Sequence, residues 1–234
     1  PNTSYTWGRW DQNVIAFEKE WELLSFAYKY LGDKDVQVVS RIEFKDKTDK
    51  SLTKALKAVL ETADIVIAHN GDEFDIKKSN AKFIEHNLGP VNQYQKIDTK
   101  KIAKKYFKFN SNSLDDLGKL LGVGRKEKTG GFDLWLGCMA GDKKSFELMK
   151  KYNKQDVLLL ERVYLRLRPW IESHPNVAHM EGKPSSCPKC GHSRLKSKGI
   201  KRTQTSQYTR YICLSCGGYS RGRVANKVDK PEFV

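Results

Sequence analysis

"DIVIAHNGDEFD", residues 64–75, decides how the rest of the chain is read. Its first half, Ile65 to Ala68, is a short unbroken apolar run, the pattern of a central strand buried on both faces. Its second half changes character abruptly. Asn70 stands at the strand's end, and Asp75 stands at the start of a helix expected from about Phe74 to Asn87, where "LGP" stops it. In an α/β sheet the carboxyl end of a central strand is a preferred place for a site. Asp75 is therefore positioned to meet a second carboxylate from a distant part of the chain.

Working outward, residues 21–30 and 36–44 read as an antiparallel strand pair joined at "GDKD". "DKSLTKALKAVLETA" has helical periodicity, with Leu52, Ala55, Leu56, Val59 and Leu60 on one side. "YQKID" reads as a strand leading into the helix "TKKIAKKYF", with Asp98 as its N-cap. In "SNSLDDLGKLLG", Ser113 caps a further helix and Asp116 takes the capping-box position. Two more helices cover roughly 132–140 and 142–168, the second expected to break near Tyr152 and Asn153. The order predicts an α/β domain over residues 1–172, a mixed sheet with flanking helices. Residues 173–186 read as a linker, 187–223 as a small separate unit and 224–234 as a tail. Trp7, Trp10 and Trp21 read as core or sheet-cover aromatics, and Cys138 as a buried small residue.

Lysine and arginine number 43 against 28 acidic residues, a net charge of +15 over 234 residues. From Glu181 onward there are 12 basic and 3 acidic residues, so that segment holds +9 of the total. Charge of one sign gathered in one segment suits a polyanion, because neutralising phosphates releases counterions. No apolar run approaches the roughly 20 residues that span a bilayer, so no membrane partner is expected. Four of the five cysteines form two close pairs, unlike a secreted disulfide framework, and a reducing cytoplasmic setting is expected.

Those pairs, Cys187/Cys190 and Cys213/Cys216, are C-x2-C knuckles separated by 22 residues. Four thiolates in a closed tetrahedron suit structural Zn2+, although a rubredoxin-type iron centre has similar spacing. Between the knuckles lie Lys196, Lys198, Lys201, Arg202 and Arg210, with Tyr208 and Tyr211 among them. The segment resembles the zinc ribbons of transposases and other DNA-processing proteins. Its basic residues, Arg202 and Arg210 included, would hold phosphates, while the tyrosines either stack on bases or cover the ribbon's own apolar face; for Tyr211 the covering role is expected. A protein partner for the ribbon is the alternative.

The second carboxylate comes from "KKYNKQDVLLLERVYL", where Tyr152 and Asp156 lie one helical turn apart on one face. Hard Mg2+ or Mn2+ wants oxygen ligands, and a two-metal site wants several carboxylates. "AHNGDEFD" resembles the second motif of the DnaQ-like 3′–5′ exonucleases of the ribonuclease H-like fold, and "YNKQD" resembles their third motif in its tyrosine form. The stretch from "GGFDLWLG" to "LRLRPW" is similar to phage and prophage members, which often carry a C-terminal zinc ribbon. The resemblance implies that Asp75 and Asp156 bind an Mg2+ or Mn2+ pair and that Tyr152 orients the attacking water. It implies that His69, Asn70 and Phe74 shape the groove for a terminal nucleotide. Single-stranded or 3′-ended DNA would be the substrate, nucleoside 5′-monophosphates the products, and the host cytoplasm the setting for a phage-encoded protein. In "GRKEKTGG", Lys126 and Lys128 are candidate phosphate contacts, with a solvated charge run as the alternative. The family's first motif, D-x-E, does not occur in the sequence, and the resemblance implies that it would lie just ahead of Pro1. Two rival readings stand beside the exonuclease: a nucleic-acid-binding protein of the same fold without cleavage, and a ribonuclease H-like endonuclease. Taken alone, Asp75 also reads as a helix N-terminal carboxylate favoured by the macrodipole, and Tyr152 as packing.

Overall fold

A computed structural model describes residues 3–5, 15–46, 48–127 and 131–226. Strand β1 (Thr3–Tyr5) pairs antiparallel with β2 (Ala16–Lys19), and β3 (Ser25–Tyr28) pairs antiparallel with β4 (Gln37–Ser40). Helix α1 (Lys50–Glu61) leads into β5 (Ile65–Ala68), and α2 (Asp75–Glu85) then crosses over to β6 (Gln95–Asp98), which runs parallel to β5. Four helices follow: α3 (Thr99–Tyr106), α4 (Leu114–Leu120), α5 (Asp133–Met139) and α6 (Lys143–Leu167). The expected mixture of antiparallel and parallel strands with flanking helices is present.

Polar caps fix where these helices begin. Ser113 Oγ accepts from the Asp116 amide and donates to the Asp116 carboxylate at 2.7 Å, so the capping pair works with Asp in place of Glu. Asp49, just ahead of α1, is buried; it accepts from the Leu23 amide and from His86 Nε2, each at 2.6 Å. Lys82 lies 3.5 Å away and supplies the cation, so one carboxylate joins the approach to β3, α1 and α2.

Helix α6 is the spine. Its Leu159, Val163 and Leu167 pack on Ala103 of α3 and on Leu114 and Leu117 of α4. Nearer its start, Phe146 and Met149 meet Leu24 and, from α5, Leu134 and Cys138. Tyr164 joins Ile97 of β6 and Ile171. Each buried Leu, Val, Ile, Phe or Met side chain among these contributes about 1.5–3 kcal/mol. The helix runs unbroken through Tyr152 and Asn153, against the expected interruption. It contains neither Gly nor Pro, and Asn153 Nδ2 donates to Ser25 Oγ at 2.6 Å instead of competing for the helix backbone.

A second expectation also fails. All four residues of β5 are half-buried rather than fully enclosed. Among the described residues β5 has one paired neighbour, β6, and β3 likewise has only β4. The facing edges of β3 and β5 border a cavity.

After α6 the chain forms α7 (Val177–Met180), capped by Asn176, with Ala178 buried. Strands β7 (Leu195–Arg202), β8 (Gln207–Cys213) and β9 (Tyr219–Arg221) make an antiparallel sheet in that order. This sheet is anchored to the end of α6: Lys189 Nζ is buried and donates to the Pro169 carbonyl at 2.6 Å.

Candidate active site and cysteine centre

The turn after β5 is held from below by Asp98 at the end of β6. Its carboxylate caps α3 through the Lys100 and Lys101 amides, and it also accepts from the Asn70 amide at 2.9 Å and the Asp72 amide at 3.3 Å. The expected capping role of Asp98 is therefore present, together with a second task. Asn70 adopts φ 67°, a left-handed conformation that Asn tolerates better than most residues. At Gly71 a Cβ would stand 2.4 Å from the Ala68 Cβ, so only glycine permits this turn. The result places Asp75 as the first residue of α2, with the exposed Phe74 just before it.

His69 is braced on both sides, Nε2 donating to the Asn112 carbonyl at 3.0 Å and Nδ1 lying 2.9 Å from Thr99 Oγ1. Burial holds its pKa below the usual histidine range. Its ring lines the cavity, but its two nitrogens are already engaged.

Asp75, Lys126, Tyr152 and Asp156 line one cavity of about 870 Å³. Two carboxylates 81 positions apart in sequence thus open onto the same space. Lys126 Nζ lies 2.7 Å from Asp156 Oδ2 and 3.1 Å from the Tyr152 hydroxyl. Burial opposes the Lys126 charge, but Asp156 and Tyr152 outweigh it and raise the ammonium above its usual range. The lysine's loop is fixed in turn, because the Lys126 amide donates to Asp115 Oδ1 at 2.9 Å. Desolvation by the surrounding walls, with the nearby Asp98 charge, raises the Asp75 carboxyl above its ordinary value. Asp156 Oδ1 is buried and has no hydrogen-bond partner among the described residues. An orphaned carboxylate oxygen, with a second carboxylate and a phenol lining the same cavity, is an oxygen-rich donor set that fits a hard divalent cation.

A pairing of Lys126 with Asp156 was not foreseeable from "GRKEKTGG", where charges alternate without periodicity. Lys128, the other phosphate candidate in that loop, lies outside the described residues. So do Trp7 and Trp10. Trp21 lies beneath the Lys78 and Lys82 ammonium groups, at 4.4 and 4.6 Å from the ring centre.

In the C-terminal unit the four cysteine sulfurs lie within 4.8 Å of one another. Cys187–Cys216 and Cys190–Cys213 are 3.8 and 3.7 Å apart. A tetrahedron with metal–sulfur bonds of about 2.3 Å has edges of about 3.8 Å, so the quartet fits a zinc ion. At Cys213 burial is outweighed by the amides of Cys216 and Ser215, which draw its thiol down to about 7. Cys138 stands apart, buried in α5 as expected.

On the ribbon, Arg202 is exposed at the end of β7. Arg210 lies over Tyr219, 5.2 Å from the ring centre, and its Nε donates to the Lys198 carbonyl at 2.9 Å. Arg221 covers Tyr208 at 3.9 Å. That tyrosine face is therefore occupied by the protein's own guanidinium and not open for base stacking. Tyr211 is half-buried and packs near Gly222, in the covering role.

No curated protein matches the chain. The family model of the RNase H superfamily matches residues 19–168, a span that contains β3 to β6, α1 to α6 and Asp75, Lys126, Tyr152 and Asp156 of the cavity wall. With a match over more than half of its length, the chain belongs to the RNase H superfamily.

Proposed function

We propose that this chain is a divalent-metal-dependent 3′–5′ exonuclease acting on DNA, releasing nucleoside 5′-monophosphates. Membership of the RNase H superfamily points to nuclease-type chemistry on nucleic acid. The observation that carries the finer reading is the shared cavity: Asp75, Tyr152 and Asp156 open onto one space, and one carboxylate oxygen of Asp156 is buried without a hydrogen-bond partner among the described residues. Asp75 and Asp156 are the residues that would hold Mg2+ or Mn2+. The ion, when bound, supplies Lewis acidity and eases deprotonation of a water. The Tyr152 hydroxyl orients that water and Phe74 offers an exposed aromatic face to the terminal base. The basic ribbon retains the strand through phosphates, with Arg202 and Arg210 among its contacts.

A second reading is favoured by one observation. The Lys126 ammonium already neutralises Asp156, as it would in a protein that binds nucleic acid without cutting it. A 5′-labelled single strand, incubated with and without Mn2+, separates the readings. The exonuclease shortens the labelled strand stepwise from its 3′ end, and Asp156→Asn abolishes this. Tyr152→Phe is expected to slow turnover by roughly a hundredfold with little change in binding. Binding that leaves the label intact at every metal concentration supports the non-cleaving protein. Cutting of a circular single strand would instead establish an endonuclease.

A further inference from the structure

Residues 187–226, outside the span that the family model matches, contain nine basic side chains and no acidic one. The three-stranded sheet sorts these charges by face. Successive residues of a strand point to opposite faces, and directly paired residues on neighbouring strands share one. Arg210 pairs with Arg221 across β8 and β9, while Lys201 pairs with Tyr208 and Lys196 with Ile212 across β7 and β8. Lys196, Lys201, Arg210 and Arg221 therefore share one face with Tyr208 and Tyr219, and all four cations are exposed. Tyr211 and Cys213 lie on the other face.

Two of these cations stand where stability alone would not put them. Like charges directly opposite each other destabilise a sheet, and such paired residues are only about 4.5–5.5 Å apart at Cα. The ribbon has no carboxylate of its own to offset them. Instead the two guanidinium groups part along the strands, Arg221 lying over the Tyr208 ring at 3.9 Å and Arg210 over the Tyr219 ring at 5.2 Å. Arg210 Nε donates to the Lys198 carbonyl at 2.9 Å and Arg221 Nη1 to that of Gly222 at 3.4 Å. Ring and carbonyl together hold each planar fork in place, which lowers the entropy that a ligand must take from it.

The ligand follows from what this face offers and what it withholds. Guanidinium forks match phosphate oxygens. The tyrosine faces that could stack on bases are occupied by guanidinium groups. Single-strand binding draws about 1–3 kcal/mol per base from such stacking, and here that source is missing. What remains is charge. A duplex carries one phosphate charge per about 1.7 Å of its axis, against about 3.4 Å for either strand within it. The same face therefore gains more from a duplex than from a single strand.

We propose that this face of the ribbon, centred on the Arg210–Arg221 pair, binds the phosphate backbone of a nucleic-acid duplex without touching its bases. A phosphate between the two arginines also relieves their mutual repulsion. Under the nuclease reading, on which this last step rests, the favoured substrate is a duplex that ends in an unpaired 3′ tail.

Binding is measured by fluorescence anisotropy on the full 234-residue chain, without Mg2+ or Mn2+, over a range of salt. The probes are a labelled blunt DNA duplex and one of its strands alone. No cleavage is involved, so failure here leaves metal-dependent shortening of a labelled strand untouched, and the reverse holds as well. The duplex is expected to bind about tenfold or more tightly than the strand. Arg210→Gln and Arg221→Gln should each lower the slope of log affinity against log salt by about 1. Arg221→Lys keeps the charge and restores the slope, while Lys34→Gln removes a like charge from the exposed β3–β4 turn and leaves the slope unchanged. Tighter binding of the single strand, or a slope untouched by both glutamine variants, would overturn the proposal. So would a lysine variant that fails to restore the slope, or an equal loss in Lys34→Gln.

Discussion

Lys126 holds an ammonium where Asp156 and Tyr152 together offer a cation site. A charge-assisted hydrogen bond contributes about 1.5–3 kcal/mol, so a divalent ion that takes Asp156 must displace this contact. Lys126→Met is therefore expected to tighten Mn2+ binding by about tenfold or more, measured by titration calorimetry without nucleic acid. Weaker binding in the variant would mean that the lysine supports the ion instead of competing with it. The two carboxylates were legible in the sequence because each sits in a motif with fixed spacing on a recognisable element. Lys126 stood out as a phosphate candidate, but its pairing with Asp156 was not legible, since a charged loop has no period that says where a side chain returns. The double duty of Asp98, as helix cap and as clamp on the turn at Asn70, was half legible: the cap follows from local order, the clamp only from the parallel pairing of β5 and β6.

Among the elements, α4 and α6 approach closely because Gly118 has no side chain. A Cβ there would lie 2.7 Å from the Gly124 carbonyl oxygen and 2.8 Å from Leu159 Cδ1. Alanine favours helix over glycine by about 1 kcal/mol. Overpacking of a tight core costs about 1–3 kcal/mol, and a backbone oxygen cannot turn aside as a side chain can. Gly118→Ala is thus expected to destabilise the protein in urea titrations despite its better propensity. Leu159→Ala, at a fully buried position, should cost about 2–5 kcal/mol in the same assay. Most helices were readable from periodicity and caps, because those signals are local. The continuity of α6 was not, since Tyr152 and Asn153 have modest propensity and their tertiary partners are remote in sequence. Strand β5 shows the same limit. A run such as Ile65–Ala68 looks identical whether one or both of its edges are paired, and only the assembled sheet reveals the difference.

At the scale of the molecule, charge and titration set the expected behaviour. No helix among the described residues is long and apolar enough to cross a membrane. Removing residues 181–234 takes away +9 of the +15 and should both weaken nucleic-acid binding and flatten its dependence on salt. An unchanged salt slope would assign the ribbon to a protein partner. Burial holds the pKa values of His69 and His174 below the usual range. The unfolded chain then binds more protons than the folded one below the ordinary histidine pKa of about 6.5. Stability is expected to be full above that pH and to fall as the pH drops through the depressed folded values, readable as a lower urea midpoint at pH 5 than at pH 7.5. A midpoint that stays constant across this window would show that the rings are charged in the fold.

The join between Lys189 and the Pro169 carbonyl turns α6 into a gauge. Twelve helical positions separate Asp156 from Arg168, about 18 Å at 1.5 Å per residue. A duplex shorter than about five base pairs, at about 3.4 Å each, would reach one station but not both. Under the nuclease reading, processing should therefore slow below that length, and Lys189→Met, by loosening the join, should blur the threshold.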